Sequence, residues 1–170
     1  VAAAHGEVCY EVPVGFKHIS AKMAEKNAII GGESSGGTAV RGHIAGKDGI
    51  YAAALLVEML AVTEKSVAEL SREIREQYGT LCYEDSDFTM SAERKKTLMH
   101  QLFTEKQMPA FGADIAAISY EDGCKVCFCD GSWVICRFSG TEPLLRLAAE
   151  GNTVSQAKAY IRLWQYDLGL

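Results

Sequence analysis

Long apolar runs are missing from this sequence. None approaches the roughly 20 consecutive apolar residues that a membrane-spanning helix requires, so no transmembrane helix and no membrane partner are expected. An excess of basic charge is missing as well. Against 17 Lys and Arg stand 22 Asp and Glu, a formal net charge of −5. An acidic surface serves neither nonspecific nucleic-acid binding nor an anionic membrane, so nucleic acid is not an expected partner. The first residues, Val1-Ala2-Ala3-Ala4-His5-Gly6, lack the basic start and apolar core of a secretory signal. There is no Met at position 1, and the chain is expected to be a piece of a longer polypeptide. No low-complexity tract and no internal repeat is present, and 48% hydrophobic residues argue against disorder. A second cysteine pair is missing too. Cys124-x-x-Cys127 has no partner pair and no nearby His, so zinc is not expected. The six cysteines read as free thiols, which suits a reducing cytoplasm.

What is present is enough for one ordinary domain or two small ones, at 170 residues. Residues 1–88 read as a partial α/β domain of three-layer α/β/α type. Its elements are a strand over 8–14, a helix over 16–25, a short apolar strand over 28–32 and a helix over 50–61 capped by Asp48. That helix is apolar nearly all round and is expected to be buried. Ser66-x-x-Glu69 is a capping box that opens a further helix, ended by Gly79. Residues 81–90 have partial strand character, and a linker is expected over 86–91. Residues 89–170 read as a small α+β domain with a four-stranded antiparallel sheet and flanking helices. Ser91 caps a helix running to about residue 107. Strands follow over 115–120, 125–130, 132–138 and 144–149, with Asp130-Gly131 as a hairpin turn. Thr153-x-x-Gln156 starts a last helix with Val154, Ala157, Ile161 and Trp164 facing inward.

Two polar stretches carry chemistry. Arg137-Phe138-Ser139-Gly140-Thr141-Glu142-Pro143-Leu144-Leu145-Arg146 packs two guanidinium forks, two hydroxyls and a glycine between two strands. Gly140 lets the backbone take a positive φ or approach a ligand closely. Ser139 and Thr141 can donate O–H bonds to one point, and Arg137 and Arg146 match phosphate oxygens in bidentate fashion. The plainer reading of the same residues is a Gly-containing hairpin whose arginines pair with Glu142 and Glu150. The second stretch, Glu33-Ser34-Ser35-Gly36-Gly37, follows a short strand. A carboxylate beside hydroxyls and glycines is suited to gripping sugar hydroxyls, although such composition also makes ordinary turns.

Four segments in order resemble the α-D-phosphohexomutases, the phosphoglucomutase and phosphomannomutase enzymes. They are Val12-Pro13-Val14-Gly15-Phe16-Lys17-His18-Ile19, Gly32-Glu33-Ser34-Ser35-Gly36-Gly37, His43-Ile44-x-x-Lys47-Asp48-Gly49, and the phosphate loop with Arg146. Ser34 departs from the family pattern, where many members carry Glu. The resemblance covers most of the family's third domain and its fourth. It implies an enzyme, an isomerase and phosphotransferase that interconverts hexose 1-phosphate and hexose 6-phosphate through a phosphoserine and a 1,6-bisphosphate. Mg2+ is its implied cofactor and glucose 1,6-bisphosphate its activator. Neither the serine loop nor the Asp-rich magnesium loop of the family occurs here. No catalytic phosphoserine and no metal ligand is therefore expected in this chain, and its implied partners are the hexose phosphate and the missing N-terminal domains. The resemblance assigns Glu33, Ser35, Lys47 and His43 to the sugar, with Lys47 a possible catalytic residue. It assigns Arg137, Ser139, Gly140, Thr141 and Arg146 to the phosphate. Alternatives are a phosphoglucosamine mutase, or a sugar-phosphate-binding module without chemistry.

Overall fold

The computed structural model describes residues 1–170. The chain divides into two compact units, Val1–Gly79 and Thr80–Leu170.

In the first unit, helix α1 (Phe16–Lys26) is followed by strands β1 (Ile30–Gly32) and β2 (Thr38–Val40), then by helices α2 (Gly49–Thr63) and α3 (Val67–Tyr78). The helix limits follow from local chemistry. Asn27 and Glu64 close α1 and α2 in the left-handed conformation. Asp48 caps α2 by accepting from the amides of Ile50 and Tyr51. Ser66 and Glu69 form the reciprocal capping box of α3. β1 and β2 pair antiparallel, Ile30 opposite Val40 and Gly32 opposite Thr38. α1 lies so close to β1 that a Cβ on Gly31 would come within 2.5 Å of Ile19 Cγ2 and 2.6 Å of Met23 Sδ. Only glycine admits that approach.

Two expectations fail in this unit. Residues 8–14 form no strand. An extended segment needs a neighbour to take its backbone hydrogen bonds, and the unit's one sheet pairs only β1 with β2. Helix α2 is not buried either: Ile50 is 86%, Val57 66% and Val62 77% exposed. A two-stranded sheet presents too little apolar surface to cover a helix that is apolar all round. Ala39 is the one fully buried hydrophobic residue of the unit.

The second unit is a five-stranded antiparallel sheet in the order β3-β7-β6-β5-β4. Its strands are β3 (Cys82–Thr89), β4 (Ile115–Ser119), β5 (Cys124–Phe128), β6 (Trp133–Phe138) and β7 (Leu144–Gly151). Helix α4 (Ala92–Met99), continued by a π-helical turn over His100–Thr104, lies between β3 and β4, and α5 (Val154–Leu168) closes the chain. The sheet has one strand more than expected. The stretch first read as a linker is the end of β3 and its turn, and β3 pairs along its whole length with β7. For that reason the units divide after residue 79, nine residues before the expected 88/89 boundary.

Alternation builds the core of this unit. Val126, Val134, Cys136, Leu145 and Leu147 turn inward with none of their surface exposed. α5 meets them with Ala157, Tyr160, Ile161, Trp164 and Leu168, at helical spacing. Val154, expected on that face, is exposed. Asp130 ties the β5–β6 turn to the start of α5. Its carboxylate accepts from the Ser132 amide at 2.9 Å and from Gln156 Nε2 at 2.7 Å. Gly131 in that turn has φ +85°, as an Asp-Gly hairpin demands.

Candidate functional site

The β1–β2 connection makes the first cluster. The Glu33 amide donates to the Gly37 carbonyl and the Gly36 amide to the Glu33 carbonyl, both at 2.9 Å, so residues 33–37 form a tight turn. Lys47, from the loop before α2, reaches this turn and donates to Glu33 Oε2 at 2.9 Å. Its ammonium also lies 5.4 Å from the centre of the Phe16 ring. A Cβ on Gly37 would stand 2.3 Å from Lys47 Cδ and 3.1 Å from Glu33 Oε2, so the missing side chain is what lets the pair form. Ser34 and Ser35 sit exposed at the tip. The arrangement offers an acceptor pair, a cation and hydroxyls at one surface spot, which is the equipment for hydroxyl-rich ligands.

His43 makes contacts with the start of α2. Its Nε2 lies 2.8 Å from Asp48 Oδ2, and its ring stacks on Tyr51 with centroids 4.0 Å apart. The other Asp48 oxygen caps α2. The His43 contact is the main cause that holds the Asp48 carboxyl below its usual pKa, and the Tyr51 amide adds to it. His43 thus braces the loop that presents Lys47.

The β6–β7 connection makes the second cluster, in the other unit. Ser139 Oγ accepts from the amides of Thr141 and Glu142, at 3.4 and 3.2 Å. A hydroxyl that accepts from two amides keeps its own proton free to donate outward. Thr141 Oγ1 is 3.5 Å away. Gly140 does not have the positive φ that was one of its two expected uses. What it contributes is openness: a Cβ there would meet nothing within 4 Å. The loop is closed at its base by the Ser139 amide on the Leu144 carbonyl at 2.8 Å.

Arg137 and Arg146 are direct partners across β6 and β7. Like charges directly opposite on one sheet face repel, and the structure offsets this from both flanks. Arg146 makes a two-bond contact with Asp87 on β3, Nε to Oδ1 at 2.7 Å and Nη2 to Oδ2 at 2.9 Å. Arg137 Nη1 lies 3.8 Å from Asp122. The partners anticipated from sequence, Glu142 and Glu150, are not the ones used, and Glu150 instead accepts from Trp133 Nε1. The Arg146 guanidinium holds the Asp87 carboxyl below the usual carboxylate range and is itself raised by it.

Sequence reasoning missed three contributors here. Asp87 and Asp122 are ordinary carboxylates in sequence, and only the β3–β7 register reveals the first. The third is Lys95 of α4, whose Nζ donates to the carbonyls of Ser139 at 2.6 Å and Glu142 at 3.1 Å. No local signal could have found it, because 44 residues separate Lys95 from Ser139.

No three His, Cys, Asp or Glu side chains come together to hold a metal ion. The residues present therefore do not fit a magnesium centre. Cys124 and Cys127 lie on opposite sides of β5, the first fully buried and the second part-exposed, which is unsuited to a shared ion. No helix is long and apolar enough to cross a membrane.

The comparisons with known proteins match the two parts of the chain separately, the first match ending one residue before the structural division and the second beginning at 88, beside the boundary expected from sequence. Residues 1–78 match the family model of phosphoglucomutase/phosphomannomutase, alpha/beta/alpha domain III. Residues 88–162 match the model of the C-terminal domain of the same family. A phosphoglucomutase/phosphomannomutase from Thermococcus kodakarensis is 30% identical over 96% of this chain and 33% of its own length. A phosphoglucosamine/phosphogalactosamine mutase from Sulfurisphaera tokodaii is 31% identical over 81% of this chain and 28% of its own. The crystal structure of parafusin, a phosphoglucomutase from Paramecium, superposes with a TM-score of 0.68 at 26% identity, over 99% of this chain and 35% of that one. The chain spans about a third of the length of the relatives it matches.

Proposed function

The chain belongs to the phosphoglucomutase/phosphomannomutase family, and from that premise we propose that it is the sugar- and phosphate-recognising part of a cytoplasmic phosphohexomutase. The parent polypeptide would interconvert hexose 1-phosphate and hexose 6-phosphate. The phosphoserine and the Mg2+ ligands would lie in preceding domains, and a hexose 1,6-bisphosphate would be the intermediate. The observation that carries this reading is the Ser139 loop. It joins the Ser139 hydroxyl and an open Gly140 to two guanidinium groups paired across the strands it connects.

In this reading the loop grips whichever phosphate is not reacting. Charge and shape are what it reads, so it serves the sugar in either orientation. Arg137 and Arg146 supply positive charge, and Ser139, Thr141 and the amide edge at Gly140 supply donors. In the other unit, Glu33 accepts from sugar hydroxyls and Ser35 donates or accepts. Lys47 brings positive charge toward the sugar or the transferring phosphoryl group, where negative charge accumulates. His43 acts through Asp48, holding the loop of Lys47 in place.

The identity of the Sulfurisphaera relative supports a second reading, a hexosamine phosphate as substrate. Amide chemical-shift titration of the 170-residue chain tests the common part. Inorganic phosphate is expected to bind with a dissociation constant on the order of millimolar, about −4 kcal/mol. Shifts should centre on Ser139 to Thr141. Shifts elsewhere, or none at ~50 mM phosphate, a concentration far above that constant, would overturn the assignment. The chain by itself is expected not to convert glucose 1-phosphate to glucose 6-phosphate, and measurable conversion would contradict this division of labour.

A further inference from the structure

We propose that Lys95 is a positioning residue of the phosphate loop, a clamp that holds two of the loop's carbonyl groups and leaves the Ser139 hydroxyl and the Gly140 amide for the anion. This rests on the phosphate-loop reading above.

The anchor is short and rigid. β3 runs beside β7 as far as Thr89 opposite Leu144. The Met90 amide then donates to the Pro143 carbonyl at 3.0 Å, and Ser91 caps α4 by accepting from the Arg94 amide. One turn of helix later stands Lys95, part-buried. Its ammonium meets both ends of the loop at once, Ser139 at 2.6 Å and Glu142 at 3.1 Å. A lysine ammonium has three donors and no acceptor, and here two are spent on backbone carbonyls.

Two consequences follow for an anion. Backbone carbonyl oxygens carry partial negative charge, and two of them facing a phosphate would repel it. Held by an ammonium, they are compensated and turned away. Ser139 Oγ meanwhile takes up the Thr141 and Glu142 amides, which holds the loop closed around the open Gly140. The clamp also sets a full positive charge directly behind the loop, where it adds to the field of Arg137 and Arg146. Lys95 need not touch the phosphate to act.

The test is phosphate titration of the 170-residue chain with Lys95→Met and Lys95→Arg, each paired with a thermal melt. Lys95→Met keeps the aliphatic stem and removes the donors and charge. Its dissociation constant for inorganic phosphate is expected to rise on the order of tenfold, the scale of one lost charged hydrogen bond, with the melting temperature little changed. Lys95→Arg, which can bridge the same carbonyls, is expected to restore most of the affinity. Were Lys95→Met to lose its fold, Lys95→Gln, uncharged but still a donor, would be read in its place. Unchanged affinity in Lys95→Met, with wild-type shifts centred on Ser139 to Thr141, overturns the clamp alone. Absence of those shifts in the wild type overturns the phosphate-loop reading and the clamp with it. Loss of affinity matched by an equal loss in Lys95→Arg also overturns it, since charge and bridging would then not be what matters.

Discussion

Arg146 and Asp87 are locked together across β7 and β3 by two parallel hydrogen bonds, at 2.7 and 2.9 Å. The residues are 59 positions apart in sequence and directly opposite in the sheet. Asp87 holds the Nε and Nη2 edge of Arg146, so in the proposed phosphate-loop reading carboxylate and phosphate compete for one guanidinium. Asp87→Asn is therefore expected to tighten inorganic phosphate binding several-fold in the titration above. Weaker binding would show that Asp87 serves to aim Arg146 instead.

The same pair fixes a pH dependence. The Arg146 contact lowers the folded-state pKa of Asp87 below its ordinary value of about 3.9. Its contribution to stability is complete above that ordinary value and is lost as pH falls through the folded one. Both side chains are 42% exposed, so the contribution is small, about 0.2–1 kcal/mol. Urea unfolding of wild type and Asp87→Asn should differ by that much near neutrality and converge in strong acid. A gap that widened in acid would contradict the sign.

Gly140→Ala separates folding from binding. The added Cβ meets nothing within 4 Å, and the residue does not have a positive φ. The melting temperature should hold. Phosphate affinity should fall on the order of tenfold if the anion approaches the backbone there, because a methyl group then takes the place of one contact. Unaltered affinity would mean that the anion does not reach Gly140.

Gly37→Ala acts on the other cluster. Its Cβ would displace the Lys47 side chain, 2.3 Å away at Cδ, and crowd Glu33 Oε2. Lys47 is flexible and 51% exposed, so the fold should survive. In the full-length parent, kcat/KM for hexose phosphates should drop at least tenfold, about 1.4 kcal/mol of transition-state stabilisation. Glu33→Ala in the same enzyme should change the ratio of glucose to mannose phosphate activity. An unchanged ratio at full activity would remove Glu33 from the sugar site.

Four of the six thiols should fall into two reactivity classes, with Cys82 and Cys127, both part-exposed, between them. Cys9 and Cys129 are exposed, whereas Cys124 and Cys136 are fully buried. Burial pushes both buried thiols up in pKa, away from the reactive thiolate. Alkylation of the native protein followed by mass spectrometry should label the first two and leave Cys124 and Cys136 untouched until denaturant is added. Early labelling of Cys136 would contradict the packing of β6 against the core.

Signals that act within a few residues were readable from the sequence alone. The caps at Asp48, Ser66, Ser91 and Thr153 stand where their side chains meet the next free amides. The Asp130-Gly131 turn and the alternation of β5, β6 and β7 are equally local. The Gly-rich turn at Glu33 and the Ser139 loop were found because their chemistry is packed into short stretches. Tertiary structure alone decided the rest. β3 joined the second unit because eight cross-strand pairs with β7 outweigh the weak strand character of its own sequence. α2 is exposed because an apolar helix is buried only where a partner surface exists, and its composition says nothing of the partner. Gln156 accepts from the Asn152 amide and donates to Asp130, 26 positions away. Lys95 and Asp87 entered the β6–β7 cluster through the sheet register and the start of α4. Hydrogen bonds between residues 44 and 59 positions apart leave no trace in local spacing, since only the folded backbone brings those side chains within reach.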